Sequence, residues 1–425
     1  MVLRQNRSLK LTIAWLLAAA PALAQLPAFP GAEGYGAATP GGRGGKVLIV
    51  ANLNDAGPGS LRAALAAEGP RIVVFRVAGM LDLKSPVRIT QPFVTVAGQS
   101  APGDGITLRH YGILIDTHDV VIRHLRVRPG DLSGAEVDGI AIGGNSANVV
   151  IDHCSVSWAV DENLSPSGAI SDVTVQWSII SEALNRSVHG KGAHGYGSLV
   201  RASGGLTMHH NLWAHNSSRN PRLGCNYGRP PFPQFDIRNN VIYNAGGANV
   251  AGDTFSANYI ANYHKQGPDS SPEHPIFSPT EKAVLRFYIA DNYPAKLRWF
   301  ARSGIMEASA PFAAPPVRTT SAAIAYEEVL ARAGASLPRR DAVDQRVIRE
   351  VREGAGAHID SQWEVGGWPE MRTGRPPRDT DRDGIPDEWE VPRGLNPHDA
   401  ADAVRAAPSG YTWIEEYLNE LAARK

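Results

Sequence analysis

The chain has 425 residues, 43% of them apolar, which is enough for one large domain or two smaller ones. Lys plus Arg number 42 and Asp plus Glu also number 42, so no bulk charge draws the protein to nucleic acid or to an anionic membrane, and any anion-binding site must be local. The 43 glycines and 31 prolines follow no period and point to many turns and loops rather than to a helical bundle.

The N-terminus places Arg4, Arg7 and Lys10 ahead of an apolar run from Leu11 to Ala20, followed by the small-x-small pattern Ala22-Leu23-Ala24. This predicts a secretory signal peptide over 1–24, cut after Ala24. The alternative, a membrane anchor, conflicts with a run too short to span a bilayer. The mature chain is expected to be exported, into a periplasm or outside the cell, with no membrane partner after cleavage. Cys154 and Cys225 form no disulfide framework and lack zinc-type CxxC spacing; one bridge and two buried thiols both stay open.

Next comes FPGAEGYGAATPGGRGG (29–45), whose glycines invite a phosphate-loop reading. No strand precedes it within a βαβ unit, no Gly-Lys-Ser/Thr is present and no helix follows, so a turn capping the first structural unit is expected instead. From about residue 47 to 290, short Val/Ile-rich runs such as KVLIVANL, RIVVFRV, NVVIDHCSVSW and QFDIRNNVIYN recur every ~25–30 residues, within the range of solenoid repeats. No amphipathic helices separate them, which argues against βαβ units. Paired polar residues such as His210-Asn211 and Asn239-Asn240 suit tight corners, where Asn tolerates left-handed backbone angles. These features predict a right-handed parallel β-helix over 25–320, against an antiparallel β-sandwich as the alternative.

Stacked coils bring equivalent positions to within ~5 Å. EVDGIAIGG and SVSWAVDENLS flank one strand a coil apart, so Asp138 and Asp161 can converge, with Glu162 beside them. Close carboxylates repel unless a cation lies between them, and Ca²⁺ accepts several oxygens in flexible geometry. The plain alternative is a turn cap and solvated loop charge. Further on, NSSRNPRLG (216–224) sets Arg219 and Arg222 around a proline, an arrangement suited to gripping an anion bidentately.

Beyond about 320 the texture changes. SAAIAYEEVLARAGASLPRRDAVDQRVIREVREG reads as two helices around a proline-interrupted turn, and GYTWIEEYLNELAARK as a terminal amphipathic helix, within an extension over 321–425. Between them, DTDRDGIPDEWE (379–390) fits a calcium-loop pattern. Its oxygen ligands would be Asp379, Asp381, Asp383 and Asp387, with the Ile385 carbonyl and a bidentate Glu390, and Gly384 at the sharp turn. The preceding RTGRPPR cannot be helical, so a solitary structural site is expected rather than a paired EF-hand.

FPGAEGYGAATPGGRGGKVLIVANLNDAGPGSLRAAL resembles the start of extracellular pectate lyases, the calcium-dependent polysaccharide lyase family 1 typified by a parallel β-helix. The resemblance continues in order through GQSAPGDGITL, DHCSVSWAVDENLS, SRNPRLG, NNVIYN and GYTWIEEYLN, covering most of the mature chain. It implies that Asp138 and Asp161 bind the catalytic Ca²⁺. Where the family often has a further carboxylate this chain has Ser165, and Glu162, Asp152 or the substrate would have to complete the ion's surroundings. It also implies that Arg219 is the base that removes the C5 proton of a uronate, that Arg222 grips the carboxylate, and that Lys191 binds substrate. A further family arginine is replaced by Gly224. The implied substrate is an acidic polysaccharide, polygalacturonate, cut by β-elimination, and a monomer is expected. A lyase for another uronate polymer (alginate or rhamnogalacturonan) and a non-catalytic β-helix that binds acidic glycans remain as alternatives.

Overall fold

The computed structural model describes residues 26–423 except 272 and 301–304; the expected signal peptide lies outside the described residues. Strands follow one another from Lys46–Val50 to Val284–Ala290, with a last short strand at Met306–Glu307. They form sheets of 11, 8, 4 and 4 strands. Pairing is parallel and joins strands one coil apart: Ala147–Asp152 pairs with Ser171–Gln176, after the chain has visited the other two faces at Ser155–Ser157 and Leu164–Pro166. The protein is therefore a parallel β-helix, and parallel register excludes the antiparallel sandwich.

Period-two alternation builds the interior. Val94, Val120, Val149, Val173, Leu206, Phe235, Ala257 and Phe287 pair in register from coil to coil, and all are fully buried. Each strand leaves one face inward, so no coil buries its apolar side without its neighbours. At one corner the polar pairs divide their work differently from the expectation. His210 and Asn239, the first residue of each pair, hold the left-handed backbone at φ 54°. The second residues form a buried amide ladder, with Asn211, Asn240 and Asn262 donating to the next side chain at 3.1, 2.9 and 3.1 Å. Buried amides need such partners.

The glycine-rich start does not cap the first coil. It crosses the outside of the 11-stranded sheet, where Gly42, Gly36 and Tyr35 N–H groups donate to the hydroxyls of Thr95, Thr174 and Thr207 at 2.9, 2.9 and 3.2 Å. A Cβ on Gly36 would lie 2.4 Å from the Val149 carbonyl oxygen, so the close backbone approach requires glycine.

Helices Ala322–Arg332 and Ala342–Glu353 lay Val329, Leu330, Val347 and Val351 on Leu212, Ala214, Val241 and Tyr243 of the eight-stranded sheet. Beneath them the buried Arg126 and Arg128 pair with Asp341 and Asp344, at 3.3 Å for Arg126–Asp341 and 2.8 Å for Arg128–Asp344. The terminal helix Trp413–Ala423 returns to the first coils. Cys154 and Cys225 are free and buried. Among the described residues, no helix is long and apolar enough to cross a membrane.

Candidate active site

The third face of the β-helix consists of the two four-stranded sheets, which meet where Leu164–Pro166 lies beside Leu199–Ala202. The turns entering these strands carry the site. Ile140 pairs with Leu164, so Asp138 and Glu162, each two residues earlier, occupy equivalent positions one coil apart. Bridges Glu162–Tyr196 and Tyr196–Ser218 carry the same row onward to Arg219. The Glu162 N–H donates to Asp138 Oδ1 at 2.9 Å. Asp138, Asp161 and Glu162 each present a carboxylate oxygen within 4.8 Å of the others.

Burial, reinforced by the charge of Asp161 and opposed by Arg219, raises the Asp138 carboxyl above the usual carboxylate range. Such a cluster of hard oxygen donors under strain from its own charge fits a Ca²⁺ ion. Arg219 is held at φ 59°, its guanidinium paired with Glu162 and centred 4.1 Å from the Tyr196 ring. Burial lowers its pKa from the ordinary arginine value, while Asp161 and Asp138 oppose the shift.

His189 and His194 stack at 3.8 Å beside these acids, a pair that nothing in the HGKGAH insertion singled out. His194 Nε2 lies 2.8 Å from Asp161 Oδ1, and His189 Nε2 faces Glu136 at 3.5 Å and Asp161 at 3.8 Å. The Lys191 N–H donates to His189 Nδ1 at 3.1 Å, which places the proton of a neutral His189 on Nε2. His194 is therefore the ring in contact with Asp161, while His189 stacks on His194 with its Nε2 lacking a hydrogen-bond partner, and one ligand atom from each of Asp161, His189 and His194 lies within 4.8 Å of the others. Lys191 itself is exposed at the rim of this loop.

Arg222 points outward from the next strand, half-buried, with Nη1 lacking a hydrogen-bond partner. Burial first, then the positive charges of Arg201 and Arg219, lower its pKa to about 10. Ser165, standing where a further acid was sought, accepts the Leu199 N–H at 3.3 Å. Asp152 is not part of the site: it is fully buried on another flank, bonded to Arg123 and His153 at 2.8 Å each.

The acidic loop near the C-terminus gathers a second group. Asp379, Asp381 and Asp383 converge within 4.8 Å, as do Asp383, Glu390 and Asp402. Asp381 Oδ2, Asp383 Oδ2, both Glu390 oxygens and Asp402 Oδ1 are buried without partners. Burial, followed by the neighbouring acids, raises Asp383 to about 7 and Glu390 to about 8. Asp387, expected among the ligands, stands outside both groups and accepts from the Thr380 N–H and hydroxyl at 2.7 Å each. Ile385 is anchored in the apolar cluster below, and its N–H donates to Asp383 at 2.8 Å. Asp402 was not legible, because it lies beyond the contiguous loop pattern.

No protein-family model matches the chain. Among solved structures, the major cedar pollen allergen superposes with a TM-score of 0.55 at 17% identity, covering 71% of this chain and 92% of that one. A pectate lyase from Bacillus sp. N165 in complex with trigalacturonate gives 0.52 at 15% identity, covering 71% and 98%; these likenesses concern the fold. Sequence relatives are nearer. A probable pectate lyase C of Neosartorya fischeri is 38% identical over 431 residues, 96% of each chain. One from Emericella nidulans is 36% identical over 417 residues, 93% of each. With that extent of identity along the whole solenoid and its extension, the chain belongs to the pectate lyase C family.

Proposed function

We propose that the protein is an exported lyase that cleaves de-esterified homogalacturonan by β-elimination, with Arg219 as base and Ca²⁺ as cofactor. The observation that carries this reading is the convergence of Asp138, Asp161 and Glu162 within 4.8 Å, next to Arg219 and Arg222, in a member of the pectate lyase C family. Polygalacturonate bears a carboxylate on every sugar, and the C5 proton leaves from beside it. Bound Ca²⁺, held by Asp138, Asp161 and Glu162, supplies positive charge to that carboxylate. Arg222 adds a guanidinium to the same group, stabilising the charge that develops when C5 is deprotonated.

Arg219, in its neutral form, accepts the C5 proton. The electron pair forms the C4–C5 double bond, the C4–O bond breaks, and the departing oxygen is protonated by water. Burial favours the neutral form of Arg219, which an arginine base requires. His194 keeps Asp161 turned toward the cluster, with His189 stacked behind it, and Lys191 meets the substrate at the rim. The loop at Asp379–Glu390 would hold a second, structural Ca²⁺ through Asp381, Asp383, Glu390 and Asp402, with Asp379 beside them and paired with Arg76 at 2.9 Å.

Unsaturated uronate products absorb in the ultraviolet. Parallel assays on polygalacturonate and alginate, with and without chelator, are expected to give calcium-dependent product on polygalacturonate alone. Product only on alginate, or none on either with intact glycan binding, would remove this reading.

A further inference from the structure

The outer surface of the sheet that carries Arg222 holds a second arginine outside the catalytic cluster. Strand Leu199–Ala202 pairs with Arg222–Cys225 so that Leu199 faces Arg222 and Arg201 faces Gly224. Gly224 in turn faces Gly252 on the next strand. Val200 and Leu223 are fully buried in the core, so Arg201, Arg222 and Gly224 alternate to the outside of the same surface. The two glycines in register leave that surface without side chains beside two arginines. A Cβ on Gly224 would lie 3.7 Å from Arg201 Cγ, and one on Gly252 would lie 3.5 Å from Arg222 Nη2.

Two guanidinium groups of one sign therefore border one bare strip. Arg201 is centred 4.3 Å from the ring of the exposed Tyr227, a cation–π contact that restrains it. Arg201 Nε and Arg222 Nη1 are both buried without hydrogen-bond partners. Like charges held together with unsatisfied donors call for an anion between them. Asp253, whose Oδ2 lies 3.4 Å from the same Gly224 position, supplies a single negative charge at the edge. A planar carboxylate matches the donor geometry of a guanidinium fork.

We propose that Arg201 and Arg222 form a carboxylate-binding subsite, floored by Gly224 and Gly252 and braced by Tyr227, that takes a uronate unit of the substrate chain and makes Arg201 a specificity residue for acidic over esterified or neutral sugars. This rests on the uronate-polymer reading, but its test does not depend on turnover. Trigalacturonate binding is measured by calorimetry, with the neutral galactose trimer as control. Arg201→Ala is expected to weaken trigalacturonate binding about tenfold, as loss of a charge-assisted contact does, while the neutral trimer is unaffected. Because Arg201 and Gly224 are cross-strand partners with ordinary room at Gly224, the double change Arg201→Ala with Gly224→Arg returns a guanidinium to the subsite and is expected to recover most of the affinity.

An Arg201→Ala protein that binds trigalacturonate like the parent overturns the proposal, and so does a double variant no better than Arg201→Ala. If Arg201→Ala fails to fold, Arg201→Lys carries the test: retained charge without the fork should cost affinity for the acid trimer, and unchanged affinity overturns the subsite. A parent that binds trigalacturonate through Arg201 yet forms no unsaturated product leaves the subsite standing and removes the lyase reading.

Discussion

In the proposed mechanism Arg219 is the base, and its setting yields two expectations. Its guanidinium lies against Glu162 and the Tyr196 ring, so a lysine there would keep charge but relocate the proton acceptor and lose the planar fork. Arg219→Lys is expected to lower kcat by at least ~100-fold, whereas Arg222→Lys should act mainly through KM, because an ammonium still attracts a carboxylate. An Arg219→Lys enzyme as fast as the parent would show that the proton goes elsewhere. Burial lowers the Arg219 pKa from the ordinary arginine value, opposed by Asp161 and Asp138, and the base works only when deprotonated. The rate should therefore climb from neutral to alkaline pH, and an acidic optimum in a pH–rate profile would contradict this assignment. These residues were legible in the sequence because their motifs are short and local. Arg201 was not: it meets Gly224 through inter-coil register, and register depends on coil lengths that no local pattern specifies.

At the scale of the element, the strands could be read from alternation, but the corners could not be read in full. Left-handed angles were expected of asparagine, and the same turn is also made by His124, His153, Trp177 and His210, at φ 53°, 49°, 49° and 54°. These rings stack in sequence, with centroids 4.9, 5.9 and 4.2 Å apart, so stacking between coils offsets what each unfavourable angle costs. Burial at this corner favours the neutral form of His124, His209 and His210. Burial lowers His209 to about 3 and His210 to about 2, with His210 further disfavoured as a cation by His209, Arg318 and Arg332. Glu328, 3.9 Å from His210, is the acid facing it. In the unfolded chain these rings take up protons near ~6.5. Their contribution to stability is thus fully present above that pH and is lost as pH falls toward the folded values, by up to about 1.4 kcal/mol per pH unit for each ring. Melting temperature should drop between pH 7 and pH 5, and His210→Asn, which tolerates the left-handed angle, should flatten that slope. Parallel curves for parent and variant in calorimetry would place the acid sensitivity elsewhere.

For the whole molecule, the decisive contact is between the C-terminal extension and the first coils. The stability of a solenoid is close to a sum over coils and their interfaces, so an end coil without a cover frays first. Here Ile385, Trp389, Ile414 and Leu418 of the extension pack on Ile72, Val74 and Ala97 of the first coils, and Arg76 reaches Asp379 at 2.9 Å. The acidic loop lies at the centre of that cover, and its buried, unpartnered oxygens repel one another unless a cation holds them. Asp402→Asn removes one proposed ligand some distance along the chain from the loop while keeping the side chain's shape. The melting temperature gained on adding calcium should shrink in this variant, and amide exchange should quicken at 46–50 and 71–75, the strands beneath the cover. Exchange at 199–202 and 222–225, several coils away, should stay as in the parent, and so should turnover at moderate temperature and saturating calcium. If instead turnover collapses while the calcium-dependent melting shift survives, the ion that matters for chemistry sits in the C-terminal loop, and the catalytic and structural roles of the two acidic groups are reversed.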